Sequence, residues 1–382
     1  MPVNFAKKQI KNTENSTDNT AEDKNIIKKI NDFLLTLSRV PLKERLFFVQ
    51  HLGVMLKSGI SLSIAMKTLA KQTENKYFKK ILEDVAEQVE KGKSFTEALT
   101  PHKKIFGELF VSMVEAGELS GKLEDVLSQL YLQMKKDHKL RSKVKGALTY
   151  PVIILIAMFG IGTFMIVFII PKITAMFSEM GTELPLPTKI LIGVSDAIVN
   201  NGLLSLAIFI IVVVSFIKTI KTYKGKYIFQ AMLLKAPVFS TIIKKINLAR
   251  FARNISSLLK TDIMIIKTFQ ITANVLGNLH YREALLDMAQ KIKQGGKLSE
   301  AIDSYPKLFT PVVAQMIAVG EETGELDNIL VELAEFYEEE VDQVMENLPA
   351  IIEPLLILVL GLGVGGVAVA IIMPMYSITE SI

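Results

Sequence analysis

The sequence has no cysteine and no tryptophan, and only four of its 382 residues are histidine. The lack of cysteine excludes disulfides, thiolate nucleophiles and cysteine-ligated metals. The histidines are scattered and never paired, which argues against a histidine-based metal site. No nucleophile–base pair or phosphate-binding loop is present. We therefore predict no cofactor, no metal and no enzymatic activity.

Apolar residues are abundant, although charged residues are not scarce. The chain is 50% hydrophobic and 22% charged, a combination that indicates membrane spans joined to charged helical domains. Three uncharged stretches, at 151–170, 202–217 and 354–373, suit this interpretation. At a rise of about 1.5 Å per residue the first and third are long enough to cross a bilayer, and the second can cross if its flanking lysines snorkel.

Basic residues are distributed unevenly around these stretches. They cluster at 135–145, before the first stretch, and at 221–253, after the second. The loop between the two has only two lysines, and the residues after Tyr376 have no basic residue. Since lysine and arginine accumulate on the cytoplasmic side, we predict a cytoplasmic N-terminus and an external C-terminus.

The chain contains an internal repeat. Phe48 to about Thr174 matches Phe251 to about Ser377 with a constant shift of 203 residues and no gap. Each copy is a helical domain followed by its own transmembrane helix. The short second span has no counterpart, and its role is to return the second domain to the side of the first.

Apolar residues within each copy recur with the spacing of an α-helix, and no convincing pattern of alternating residues indicates a strand. Ser94 and Glu97 form a predicted capping box. Each domain is expected to be a bundle of about six helices. The predicted fold class is all-α: an integral membrane protein with two homologous cytoplasmic helical-bundle domains and three transmembrane helices.

The predicted division of the chain follows from the spans and the repeat. It comprises a disordered tail and amphipathic helix (1–40), the first cytoplasmic helical domain (41–149), the first span (150–171), an external loop with an interfacial helix (172–201), the second span (202–220), a basic loop with the second cytoplasmic domain (221–349), the third span (350–374) and an external tail (375–382).

A glycine–glutamate motif recurs at the same place in both copies. It comprises Gly117, Glu118 and Gly121 in the first copy and Gly320, Glu321 and Gly324 in the second. One interpretation is a turn between helices, in which glycine supplies a positive φ. The alternative is a surface that meets a partner or coordinates a cation, although one carboxylate per turn is too few for a strong calcium site.

The paired motif resembles the Gly-Glu-x-(Ser/Thr)-Gly-x-Leu motif of the type II secretion system F family. The residues that lead into the first span, ending in Tyr150 and Pro151, are similar to that family's signature, as are Glu353 and Pro354 before the third. The second copy departs by reading Thr261-Asp262-Ile263 where the first has a Ser-Gly turn.

This resemblance implies a function. Family members are inner-membrane platforms of type IV pilus or type II secretion machines, and they couple an ATPase to pilin insertion. The implied partners are a cytoplasmic hexameric assembly ATPase, pilin or pseudopilin subunits and other inner-membrane assembly proteins. The Asn- and Lys-rich N-terminal tail favours the pilus, and whether the chain forms a homo-oligomer is left open.

Glycines also mark the third span. Residues 361–366 fit a Gly-x-Gly-x-x-Gly pattern formally, but they lie inside an apolar run without a preceding soluble strand. Gly361 and Gly365 instead form a GxxxG pair, which is typical of close helix packing. Their partner is the first span, a second protomer or a pilin helix. Tyr150, Pro151, Glu353 and Pro354 are expected at the membrane interface.

Charge distinguishes the two copies, because the first is basic and the second acidic. This contrast indicates unlike partners or attraction between the copies. The basic loop at 221–253 suits anionic lipid or an acidic protein face, and nucleic acid is not expected.

The alternative functions are a generic membrane scaffold and an oligomeric transporter, for which the spans offer few polar residues.

Overall fold

The computed structural model describes residues 40–180 and 186–380. The tail and amphipathic helix predicted at 1–40 lie outside these ranges except for the last residue. All the regular secondary structure in the described ranges is helical, as predicted. The first copy consists of α1 (Leu42–Lys57), α2 (Leu62–Gln72), α3 (Lys76–Glu90), α4 (Phe95–Leu99), a 3₁₀ turn (Thr100–His102), α5 (Lys103–Phe106), α6 (Glu108–Ser120) and α7 (Leu123–Phe164).

The membrane segments and the second copy follow. A π-helical segment (Met165–Ile169) leads to α8 (Ile170–Met180), α9 (Leu186–Asn200), α10 (Gly202–Lys221), α11 (Tyr223–Lys235), α12 (Phe239–Leu259), α13 (Ile265–Val275), α14 (Leu279–Lys293), α15 (Leu298–Asp303), α16 (Pro311–Thr323) and α17 (Leu326–Glu380). Helices α2, α3 and α6 begin and end 203 residues before α13, α14 and α16. The structure therefore repeats with the period of the sequence.

Local signals explain where α4 begins and how the chain turns after α1 and α12. The capping box at Ser94 is confirmed, because its hydroxyl accepts from Glu97 N while the Glu97 carboxylate accepts from Ser94 N. The turn that follows α1 contains Gly59, whose φ is +80°. At the equivalent position of the second copy, Asp262 adopts φ +58°. The second copy thus keeps the turn without the glycine, because aspartate tolerates the left-handed region better than most residues.

Among the described residues, three helices are long and apolar enough to cross a membrane: α7 with its continuation to Ala175, α10 and α17. Helices α7 and α17 begin in the helical domains, so Pro151, Glu353 and Pro354 lie inside continuous helices. Glu353 therefore lies within a helix and does not cap one. Domain and span share one helix in each copy.

The chain divides into two compact units. Of the described residues, the first unit contains those up to Lys135 together with Ser257–Ile271, and the second contains the others. The core of the first unit is formed by α1 to α7, and Leu258, Ile263 and Ile271 of the second copy are buried in it. The corner between α12 and α13 is therefore part of the first unit, although it belongs to the second repeat.

Helix α9, predicted as an external or interfacial helix, packs against the membrane helices of the second unit. The Ser195 hydroxyl donates to Ile166 O at 2.6 Å, and the Thr188 hydroxyl donates to Ala370 O at 2.6 Å. Ile166 lies in the π-helical segment, and such a segment disturbs the regular pairing of backbone carbonyls. Ser195 supplies the donor at this point.

Candidate functional site

The first motif forms the turn between α6 and α7. A Cβ atom at Gly117 would lie 2.9 Å from Val126 Cγ2 and 3.2 Å from Leu123 Cα, so this position has no room for a side chain. Gly121 ends α6 in the left-handed conformation with φ +69°. The two glycines therefore let α7 fold back closely on α6.

Glu118 links this turn to another helix. Its carboxylate accepts hydrogen bonds from Phe95 N at 2.6 Å, from Thr96 N at 3.0 Å and from the Thr96 hydroxyl at 2.7 Å. These are amides of the first turn of α4, which no intrahelical carbonyl can satisfy. A negative charge is also favoured at a helix N-terminus. Glu118 therefore fixes α4 to the end of α6.

The second copy repeats this arrangement. Glu321 accepts from Leu298 N at 2.8 Å, from Ser299 N at 3.2 Å and from the Ser299 hydroxyl at 2.8 Å. Partial burial acts to raise the pKa of Glu321, but these hydrogen bonds outweigh it and leave the pKa below its usual range. Gly320 again has no room for a Cβ, which would lie 3.0 Å from Leu326 Cα, and Gly324 has φ +76°.

Both motif carboxylates thus have both oxygens engaged by hydrogen bonds within their own domain. Over the ranges 40–180 and 186–380, no group of three or more His, Asp or Glu side chains is placed to hold a metal ion. The geometry suits a rigid corner between helices better than a cation site. A contact between these turns and a partner stays a prediction.

A second feature is a three-helix stem below the membrane spans, formed by α7, α12 and α17. Its apolar core contains Leu140 of α7, Ile242 of α12 and Val341, Met345 and Leu348 of α17. Around this core the basic residues of α7 and α12 meet the acidic residues of α17. Burial of the core and the surrounding charges join the three helices in one unit.

The most buried ion pair of the stem joins Arg253 to Glu338. Arg253 Nε lies 2.7 Å from Glu338 Oε1, and the two side chains are 14% and 17% exposed. Lys136 Nζ reaches the other oxygen of Glu338 at 3.1 Å. Further ion pairs between the helices of the stem are Lys139–Asp342, Lys143–Asp342, Lys245–Glu340, Arg253–Glu335 and Arg250–Asp137.

The sequence contained a signal for this stem. It has basic residues at 135–143 and acidic residues at the equivalent positions of the second copy. Attraction between the copies was one interpretation of this contrast, and the stem supports it. Three basic residues of the 221–253 segment, Lys245, Arg250 and Arg253, pair with acidic residues of the same chain. Contact of this segment with lipid or with another protein stays a prediction.

The predicted interface residues differ in exposure. Tyr150, Glu353 and Pro354 are exposed, whereas Pro151 is buried. Gly361 and Gly365 do not serve as contact points for another part of the described chain, because a Cβ at either would meet nothing within 4 Å. Gly363 instead borders a cavity of about 270 Å³ together with Gly162 of the first span.

These features define an all-α integral membrane protein with a duplicated helical domain. The sequence matches the family described as type II secretion system (T2SS), protein F, over residues 48–171 and again over 251–374. The chain belongs to this family. The two matches confirm the predicted repeat and its shift of 203 residues.

Curated relatives agree with this assignment. A type IV pilus assembly protein PilC of Thermus thermophilus is 37% identical over 90% of this chain and 84% of its own. A protein of the same name from Myxococcus xanthus is 33% identical over 89% and 81%. A type II secretion system protein F of Aeromonas hydrophila is 28% identical over 91% and 88%.

Proposed function

We propose that the protein is the inner-membrane platform of a type IV pilus assembly machine, and that it passes the motion of a cytoplasmic assembly ATPase to pilin subunits in the membrane. The observation that supports this best is the continuity of α7 and α17, each of which runs unbroken from a helical domain into a span. A continuous helix transmits displacement or rotation, whereas a flexible linker does not. In this proposal the chemistry belongs to the ATPase.

Two of the relatives support a pilus machine rather than a secretion machine. These two are named for pilus assembly and are 37% and 33% identical to this chain, whereas a relative named for secretion is 28% identical. The distribution of basic residues supports an orientation with both domains in the cytoplasm and the C-terminus outside. In that orientation an ATPase meets the domains and pilins meet the spans.

We expect the contacts with partner proteins to be made by other residues than the motif carboxylates, because those carboxylates already accept hydrogen bonds within their own domains. Leu119 lies between Glu118 and Gly121 and is 83% exposed, so it is the member of the first turn that we expect to meet a protein partner. In the membrane, the open side of Gly361 and Gly365 suits the close approach of a helix from a pilin.

The test separates binding from transmission. Intact protein, crosslinked in membranes and purified in detergent, is expected to retain the ATPase and pilin. A Gly-Ser-Gly-Ser insertion between Ala350 and Ile351 breaks the rigidity of α17; we expect it to retain the ATPase and to lose pilus formation. The same insertion between Asn200 and Asn201, in the turn between α9 and α10, is the matched control.

Two results would count against the proposal. If intact protein captures neither ATPase nor pilin, the platform function fails, and a generic scaffold or a transporter becomes the better candidate. If the Ala350 insertion supports as many pili as the Asn200 insertion, transmission through α17 is refuted.

A further inference from the structure

The corner between α12 and α13 binds the first domain through specific polar contacts. The Ser257 hydroxyl donates to Gln133 Oε1 at 2.8 Å, and Ser257 is 1% exposed. Lys267 Nζ lies 3.0 Å from Glu115 Oε2, and Lys122 Nζ lies 3.3 Å from Asp262 Oδ2. This contact joins a corner of the second repeat to the α6–α7 face of the first.

Each repeat has both parts of such a contact, but the equivalent parts differ in chemistry. The first repeat has a corner between α1 and α2, and the second repeat has an α16–α17 face. At the equivalent positions, Val54 and Phe336 replace the pair Ser257–Gln133, and Ile64 and Ala318 replace the pair Lys267–Glu115. In both pairs the two members change from polar to apolar together.

The equivalent residues also differ in burial. Val54 and Ile64 are each 59% exposed, and Phe336 is 47% exposed. The same repeat position thus has serine in the second copy, where it is buried, and valine in the first copy, where it is open to solvent. Contact of these apolar side chains with water costs free energy, and a partner that covers the α1–α2 corner and the α16–α17 face removes that cost.

Charges favour the same pairing. The third contact, Lys122–Asp262, is replaced by Glu325 and Gly59, so the open face gains a carboxylate where the occupied face has an ammonium group. Glu322 and Glu332 are exposed close to Glu325 in the sequence, while the open corner carries the exposed Lys57. An acidic face and a basic corner attract each other and steer association.

We propose that the α1–α2 corner of one chain docks on the α16–α17 face of a second copy, in the manner in which the α12–α13 corner docks on the α6–α7 face. Val54 then packs on Phe336 of the second copy, and Ile64 packs on its Ala318. The contact is head-to-tail, and every copy has one open corner and one open face. Such contacts close into a ring when the rotation between copies allows it.

The absence of native cysteine makes a disulfide test direct. Full-length Val54→Cys and Phe336→Cys chains with different tags are co-expressed, and the membranes are treated with a mild oxidant. We expect a disulfide that joins the two tags, in a yield about tenfold above that of either variant alone. Val54→Cys with Leu286→Cys is the control, since Leu286 is 40% exposed on α14, away from the proposed contact.

Several outcomes would overturn the proposal. A mixed-tag yield no greater than that of the Leu286 control indicates random collision. Val54→Cys chains that couple to each other as readily as to Phe336→Cys chains indicate a symmetric contact instead. A chain with both substitutions that forms only an internal disulfide shows that corner and face meet within one copy.

A second measurement uses the chemistry of the occupied contact. Val54→Asp is expected to weaken self-association at least about tenfold, because it places a charge against an apolar ring. Val54→Ser together with Phe336→Gln recreates the serine–glutamine pair and is expected to recover most of the association. Unchanged association of Val54→Asp, measured by analytical ultracentrifugation in detergent, would refute the contact, and an unchanged melting temperature verifies that the variant folds.

Discussion

Lys139 and Asp342 occupy the same position in the two repeats, and their Nζ and Oδ2 atoms lie 4.0 Å apart. Asp342 also pairs with Lys143. Duplication of a helix would normally bring like charges together at such a place. Here the copies have diverged to opposite charges, so that α7 and α17 attract each other along the stem.

Removal of the buried acid of the stem is expected to destabilise the protein. Glu338→Ala leaves Arg253 partly buried without its closest partner, at a cost of about 2 kcal/mol. Glu339→Ala changes an exposed neighbour on the same helix and is expected to cost less than about 0.5 kcal/mol. Thermal unfolding in detergent measures both. Equal melting temperatures for the two variants would show that the Arg253–Glu338 pair contributes no stability.

The cap formed by Glu321 predicts a dependence on pH. The pKa of Glu321 is lowered in the folded state, so its stabilisation is complete above the ordinary value of 4.5 and is lost as the pH falls through the folded-state pKa. Glu321→Gln is expected to cost about 1 kcal/mol at neutral pH. The difference from the wild type narrows in acid.

Unfolding temperatures of the wild type and of Glu321→Gln between neutral and acidic pH test this expectation. Glu322→Gln, at an exposed position one residue further along, is the control and is expected to change little. A Glu321→Gln difference that stays constant down to the acid limit would mean that the ionised carboxylate is not what stabilises α15.

The close approach at Gly117 predicts a steric cost. Gly117→Ala places a Cβ against Val126 and Leu123, so α6 and α7 must separate, at a cost of about 1–3 kcal/mol. Gly146→Ala is the control, because a Cβ there meets nothing within 4 Å and alanine favours a helix by up to about 1 kcal/mol. Val126→Ala in the Gly117→Ala background is expected to recover part of the loss, and an additive effect would contradict the steric explanation.

The proposed orientation in the membrane predicts which positions a membrane-impermeant thiol reagent can reach. Thr100→Cys in the first domain and Ser304→Cys in the second are expected to react only after the inner membrane is permeabilised. Asn200→Cys, at the end of α9, is expected to react in intact cells. All three positions are exposed. Labelling of Ser304→Cys from outside would place the second domain on the other side of the membrane.

Much of the fold was predictable because its signals are local or repeated. The capping box at Ser94 depends on residues three apart in the sequence, and the shift of 203 residues needs only self-comparison. The left-handed turns at Gly121 and Gly324 follow from the same kind of signal. The ends of helices and the duplication of the domain can therefore be predicted without knowledge of the tertiary contacts.

The remaining features depend on contacts between distant residues. Nothing near Glu118 indicates that its carboxylate caps a helix that begins 23 residues earlier at Phe95. Asp262 in a left-handed conformation was not expected, because a missing glycine suggested a missing turn. The burial of Ser257 against Gln133 joins residues that lie 124 positions apart, and no local pattern encodes such a pair.

Helix α17 has 55 residues, which at the rise of an α-helix makes it about 80 Å long. Its first turns belong to the second domain and its later turns to the membrane span. If α17 tilts as a rigid body by about 5°, its far end moves sideways by about 7 Å. That displacement is close to the spacing of about 8–10 Å between packed helices, so a rearrangement too small to unfold any domain can change which groove a neighbouring helix occupies at the far end.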